Sequence, residues 1–374
     1  VPVVTEAELP GLVRQVLLAT FALAAVFGAV AQRSHFCTMG AVSDLVAMGD
    51  GTRMRMWVVA MATAILGFNA MVGLGWLNAG DSIYAAPRLL WLSHLVGGAL
   101  FGFGMVLASG CGSKTLVRVG GGNLKSLVVL CVLAISAYAT MRGAVAVGRV
   151  ASIDRVAVEL PAGQDLPSLL ALATGIGVPA LAGLLGAAVA LAMFAWVLAK
   201  GEGRRAEVWW AGLPIGATIV GVWWVSGILG HLAEHPATLE ETFLATNTQR
   251  MESLTFVAPV AYTMDWLILF SDTSKVLTIG IVSALGVVAG SAAMAVATRS
   301  FRWEGFAGTE DTALHLVGAV LMGVGGVTAL GCTVGQGLTG LSTLALGSVL
   351  TLLAILGGAV AALKWQMWRL ERSI

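Results

Sequence analysis

Nine stretches of mostly apolar residues, each close to the roughly 20 that a helix needs to cross a bilayer, leave this chain few possible folds. They lie near 12–32, 56–76, 89–108, 125–147, 179–199, 208–230, 276–297, 313–330 and 343–364. The runs are continuous, with scattered Gly and Ala, rather than alternating apolar and polar residues. That pattern selects a helical bundle over an outer-membrane barrel. Composition agrees: 58% of the 374 residues are hydrophobic and only 11% are charged, far from the balance of a soluble globular domain. The expected fold is an all-α integral membrane protein. A net charge of +1 gives no reason to expect nucleic acid as a partner; membrane lipid is the expected surrounding. The four cysteines, Cys37, Cys111, Cys131 and Cys332, show neither CxxC nor Cys/His spacing, so no metal site, cofactor or disulfide framework is indicated. No basic segment with a cleavage site precedes the first apolar run, which is expected to be retained.

Lys and Arg gather in alternate connections. Arg33, Arg53 and Arg55 flank the first, Lys114, Arg118 and Lys125 the third, Lys200, Arg204 and Arg205 the fifth, and Arg299 and Arg302 the seventh, while Lys364, Arg369 and Arg372 lie in the tail. With nine spans all of these fall on one side, which the positive-inside rule makes cytoplasmic. The N-terminus is then outside and the C-terminus cytoplasmic. Arg142, Arg149 and Arg155 fall on the outside; they either weaken the rule or make an entrance attractive to anions. The longest connection, His231 to Ser274, is acidic. A short helix is expected there near Thr238, and Leu254 to Phe270 is expected to lie at the interface or dip into the membrane.

Between the last two spans the apolar pattern breaks at Gly331-Cys332-Thr333-Val334-Gly335-Gln336-Gly337-Leu338-Thr339-Gly340-Leu341-Ser342-Thr343. Glycines allow the backbone to leave helical geometry there, and such backbone is tolerated at membrane depth only if protein buries it or it lines a cavity. The break has a counterpart. His94 to Cys111 aligns without a gap on His315 to Cys332, with eleven identities in eighteen positions, far beyond chance and therefore an internal duplication. The two copies are the third and eighth spans, an odd number of crossings apart. They must run in opposite directions, the inverted-repeat arrangement that places substrate sites at the repeat interface. The chain is read as one transmembrane domain, 1–374, with repeat half one at about 11–148, a connecting region at 149–275 and half two at about 276–365. Gly97, Gly102 and Gly104 match Gly318, Gly323 and Gly325 and permit close helix contact.

Gly110-Cys111 and Gly331-Cys332 are thus candidate mates on one path. The first span ends in a similar mixture, Arg33-Ser34-His35-Phe36-Cys37-Thr38-Met39-Gly40, with no duplicate cysteine in the second half, where Arg299-Ser300-Phe301 stands instead. Cys131 lies in an apolar run without polar neighbours and is read as a packing residue. The pairs Trp209-Trp210 and Trp223-Trp224 sit near span ends and are read as interfacial anchors. His94 and His315 precede their cysteines by about 25 Å of helix, which excludes direct Cys–His catalysis within one repeat.

These cysteine motifs, together with Ala108 to Leu124, Phe301 to Phe306 and Gly331 to Thr343, resemble the YeeE/YedE family of sulfur-transport membrane proteins, particularly its thiosulfate transporters. The resemblance spans nearly the whole chain. It implies uptake of thiosulfate across a bacterial inner membrane along a relay of three cysteines, here Cys37, Cys111 and Cys332; the leading reading is a permease, not an enzyme, through which the anion passes unmodified. It also implies short re-entrant helices that form an hourglass. A small cytoplasmic sulfur carrier of the TusA type is implied as partner, expected as a separate chain.

Thiosulfate is a small dianion, so its path must offset dehydration without holding it too tightly. Helix N-termini supply positive dipole ends, and neutral thiols add weak donors and a soft surface. Lys114 and Arg118, three and seven residues after Cys111, either attract the anion or snorkel to headgroups. Thr333 and Gln336 adjoin Cys332 and either line the path or satisfy the broken backbone. One alternative is a membrane sulfurtransferase in which a cysteine takes up sulfane sulfur as a persulfide, which needs a low-pKa thiolate in an electropositive setting. Another is transport of a selenium-containing or other sulfur anion.

Overall fold

The protein is described here from a computed structural model covering residues 5–372. Its regular structure is almost wholly helical, with only four two-residue strands among the described residues. Its helices are α1 (Leu9–Ser34), α2 (Thr38–Ala47), α3 (Thr52–Gly73), α4 (Trp91–Leu107), α5 (Gly112–Gly120), α6 (Leu124–Arg142), α7 (Ala144–Ala151), α8 (Leu166–Thr174), α9 (Val178–Leu198), α10 (Ala206–Trp224), α11 (Ala258–Ile268), α12 (Ile279–Ala297), α13 (Thr309–Thr328) and α14 (Leu346–Glu371). Among the described residues nine helical segments are long and apolar enough to cross a membrane: those built on α1, α3, α4, α6, α9, α10, α12, α13 and α14. The chain is an integral membrane protein of the expected class.

The duplicated spans cross each other through glycine. A Cβ on Gly97 would stand 2.7 Å from the Gly325 carbonyl oxygen, and one on Gly104 would stand 2.7 Å from the Gly318 carbonyl oxygen. The partner number on α13 falls as the number on α4 rises, so the two helices run antiparallel. Gly97 is the repeat mate of Gly318 and Gly104 of Gly325, so one contact maps onto the other when the copies are exchanged. Backbones this close leave no room for a side chain, which is the physical reason for the shared glycine pattern.

The neighbours are also duplicated. α4 packs on α14 as α13 packs on α6, and α1 packs on α12 as α10 packs on α3. α9 lies along α3. Arg55, read from sequence as one of the basic residues of the inner side, is buried in the structure. It donates to the Trp196 and Val197 carbonyls at 2.8 and 3.0 Å and pairs with Glu202, fastening the end of α9 to α3.

Three expectations need correction. No helix forms near Thr238; His231–Leu232 instead pairs antiparallel with Thr242–Phe243. Cys131 is exposed on the outside of the bundle rather than packed within it. Trp223 is fully buried against Phe68 and Tyr84, whereas Trp210 and Trp224 stay exposed as anchors would. The acidic connection does enter the protein: Leu254 and Phe256 are fully buried, and α11 emerges with Leu267 and Ile268 exposed.

Candidate functional site

Three helix ends create the site. α1, α4 and α13 each stop at a residue in the left-handed conformation, His35, Ser109 and Leu330, with φ of 55°, 54° and 58°. The following residue closes each turn by bonding five residues back: Phe36 N to Ala31 O at 3.2 Å, and Gly110 N to Met105 O and Gly331 N to Gly326 O, both at 2.8 Å. A left-handed cap normally recruits Gly; three other residues hold it here, at a cost of about 1–2 kcal/mol each. The next residue is the cysteine in every case. Cys37 therefore shares the stereochemistry of the duplicated pair, although sequence alone shows no second copy of it.

Each cysteine then starts a short helix. The carbonyls of Cys37, Cys111 and Cys332 accept from Ala41, Thr115 and Gln336 at 3.0, 2.9 and 2.7 Å. The thiols of Cys37 and Cys332 accept from Gly40 N and Gly335 N at 3.5 and 3.4 Å. Cys111 Sγ lies 3.2 Å from Ser113 Oγ. Three helix N-termini thus direct free N–H groups at three thiols, a setting that favours an anion. α4, with 17 residues, is about 25 Å long, shorter than a hydrocarbon core of about 30 Å. The membrane-length segment runs on through Cys111 and α5, from Trp91 to Gly120.

The three thiols, remote in sequence, come together. All are buried. Cys37 and Cys111 are direct side-chain neighbours, Thr333 adjoins the Cys111 thiol, and Cys332 lies near enough to Cys111 to interact. The Thr333 hydroxyl is fully buried and lacks an ordinary hydrogen-bond partner. Lys114 stands beside both Cys37 and Cys111, with Arg118 and Arg53 next to it. The Lys114 stem and the Arg118 guanidinium flank Gly110, where an added Cβ would meet them at 3.2 and 3.7 Å.

After Cys332 the chain winds as a wide π-turn, Gly335–Gly340, and its backbone groups find donors from other segments. Tyr84 donates to Gly335 O at 2.7 Å, Asn69 to Ser342 O at 2.8 Å, and Trp223 to Ser342 Oγ at 2.9 Å. Thr339 donates to Leu254 O at 2.6 Å. Gln336 bonds Ala329 O and Ser348 Oγ at 2.8 and 2.6 Å, so its carboxamide satisfies the broken backbone while one side faces open space.

That space is a cavity of about 690 Å³. Leu330, Gly331 and Gln336 form part of its lining next to Cys332, and Arg88, Arg142, Arg149 and Arg250 supply cations. Arg149 pairs with Asp154 at 2.8 Å and Arg88 with Glu159 at 3.7 Å. Arg142 and Arg250 have no ion-pair partner among the described residues. Arg155, the third outer arginine, is not part of this lining. Every one of these arginines lies on the side opposite Lys114 and Arg118 by the parity of the crossings.

A family comparison matches residues 33–361, a stretch containing all three thiols, to the family described as Sulphur transport. The chain belongs to that family. Two relatives cover most of it. The thiosulfate transporter TsuA of Escherichia coli strain K12 is 28% identical over 84% of this chain and 84% of the relative. That of Spirochaeta thermophila is 28% identical over 92% of this chain and 97% of the relative. The probable transporter YedE of Salmonella typhimurium is 31% identical over 26% of this chain.

In this Sulphur transport protein the residues missed by sequence reading are Asn69, Tyr84, Trp223, Glu252 and the outer arginines Arg88 and Arg250. Asn69 carried a usable signal: it is an isolated amide in an apolar span, and such groups seek partners inside the bundle. The others lie in loops or at span ends, where composition gives no direction.

Proposed function

We propose that this chain is a permease for thiosulfate, carrying the anion intact into a bacterial cytoplasm along Cys332, Cys111 and Cys37. The observation that carries the reading is the meeting of three sequence-remote thiols beside an arginine-lined cavity. The names of the two long-range relatives support thiosulfate as the substrate. Membership of the family supports transport rather than catalysis. The order follows from neighbours: Cys332 adjoins Gly331 of the cavity wall, Cys111 is next, and Cys37 lies beside Cys111 and Lys114. Gly110 and Gly331 keep the turns narrow, Thr333 offers a hydroxyl between thiols, and Gln336 holds the outer turn open. Lys114 and Arg118 draw the anion onward, with a TusA-type carrier as a separate chain receiving sulfur on the cytoplasmic side.

The matched neighbours support an inverted repeat in which α1, α3, α4 and α6 correspond to α10, α12, α13 and α14. The second half then extends back to Ala206, with α9 outside the repeat. The cavity on one side and the basic cluster on the other are the two funnels of an hourglass that narrows at the thiols.

A sulfurtransferase is favoured by one observation, the placement of Lys114 beside Cys111. In that reaction the thiolate bonds the outer sulfur of thiosulfate, its S–S bond breaks, and sulfite leaves with the electron pair. Uptake of thiosulfate labelled differently at its two sulfurs into proteoliposomes separates the readings. Permeation delivers both labels equally; outer sulfur alone crossing the membrane supports the transferase.

A further inference from the structure

Glu252 is the buried carboxylate of the outer cavity. It lies on the connection between α10 and α12, outside the spans, and only 7% of it is exposed. The Asn247 backbone and the Thr248 side chain hydrogen-bond to it. Its Oε1 has no hydrogen-bond partner among the described residues, and the residue lines the cavity. The charged groups that share the lining are Arg88 on the loop before α4, Arg142 on α6, Arg149 on α7 and Arg250 on its own segment. None of them pairs with Glu252. The remaining titratable neighbours are Tyr84, His94 on α4 and Tyr262 on α11, of which the tyrosines interact with the carboxyl. Desolvation raises its pKa to about 7, so near neutral pH it is divided between its acid and carboxylate forms.

We propose that Glu252 takes up a proton from outer water when an anion enters this cavity, and in its neutral form donates an O–H hydrogen bond to that anion. The proposal rests on the reading of a sulfur oxyanion as substrate. A carboxylate facing a dianion repels it and can only accept hydrogen bonds. Protonation removes the repulsion and converts the unpartnered Oε1 into part of a donor group. One O–H bond forms on the carboxyl as hydronium or a buffer acid in the outer water gives up its proton and leaves as water or conjugate base, and the dianion is held with one added positive charge. Linkage makes the effect reciprocal: the bound anion raises the carboxyl's proton affinity, and acid pH tightens anion binding.

Calorimetric titration of thiosulfate into the purified full chain in nanodiscs, in buffers of different ionisation enthalpy, counts the protons. The wild type takes up about 0.9 proton per anion at pH 8, about 0.5 at pH 7 and about 0.1 at pH 6, as expected for a carboxyl near pKa 7 whose pKa rises on binding. Glu252→Gln binds thiosulfate with no proton uptake and a flat pH profile, whereas Glu252→Asp retains uptake with a shifted midpoint. Binding without proton uptake by the wild type at pH 8, or uptake unchanged in Glu252→Gln, overturns the proposal and leaves the thiosulfate reading standing. Absence of thiosulfate binding by the wild type overturns both. If Glu252→Gln does not fold, the wild-type count and Glu252→Asp decide the matter.

Discussion

The two duplicated cysteines begin from the same backbone and end in different chemistry. Up to Cys111 and Cys332 the copies share a glycine-faced helix, a left-handed last residue and the same six-residue closing bond. Carrying the alignment further sets Lys114 opposite Gly335, Thr115 opposite Gln336 and Arg118 opposite Thr339. The Cys111 copy continues as a regular α-helix with two cations, and the Cys332 copy as a neutral π-turn braced by Tyr84, Asn69 and Trp223. The repeat supplies a symmetric frame, and in the proposed transport the divergence at these few positions gives the path its direction. There a neutral turn would leave the arginines of the cavity to select the anion, while the cations beside Cys111 would attract it forward. Inward movement of an uncompensated dianion opposes an inside-negative potential by ~4.6 kcal/mol per 100 mV.

The largest effect comes from breaking the shared frame. Gly97→Leu and Gly325→Leu each drive a side chain into backbone at 2.5–2.7 Å. Both are expected to abolish monodisperse protein in detergent chromatography, because overpacking of ~3 kcal/mol or more cannot relax against backbone. Equal severity at these two sites, one in each copy, follows from their contact; a tolerated change at either one contradicts the crossing.

Next comes the asymmetry of charge. Lys114→Gln is expected to leave thermal stability near wild type and to reduce thiosulfate uptake about 10-fold, equivalent to ~1.4 kcal/mol. Unchanged uptake would return Lys114 to the role of a headgroup anchor. Gln336 and its mate differ in stability rather than in uptake. Gln336→Ala strands Ser348 Oγ and Ala329 O and should cost ~2–3 kcal/mol. Thr115→Val loses one bond to Cys111 O and should cost about 1 kcal/mol. Thermal unfolding of both variants gives the ranking, and a more damaging Thr115→Val reverses the comparison.

Much of the frame was legible in sequence because its signals are dense. The nine apolar runs correspond to the nine membrane-length helical segments among the described residues, and the repeat of His94 to Cys111 pointed to an antiparallel pair that the Gly97–Gly325 and Gly104–Gly318 contacts display. The candidate site was legible where polar residues interrupt apolar runs, at Cys37, Cys111 and the Cys332 turn. It was illegible where tertiary contact alone gives a residue its place. Trp223 read as an anchor because a tryptophan near a span end usually is one; Ser342, 119 residues away, turns it inward. Glu252 looked like one more acid in an acidic loop, since nothing local shows that Ser253 and Leu254 carry the chain into the core. The Thr238 expectation failed because His231–Leu232 found a strand partner that local propensity does not reveal.

The central claim is that the anion passes three thiols in turn. Thiosulfate uptake into proteoliposomes, measured for Cys37→Ser, Cys111→Ser, Cys332→Ser and Cys131→Ser in otherwise wild-type protein, tests it most directly. Each of the first three should lower uptake at least ~10-fold, ~1.4 kcal/mol at a path residue, while Cys131→Ser, on the outer face of the bundle, stays within a factor of about two. Full uptake by Cys332→Ser would contradict the claim.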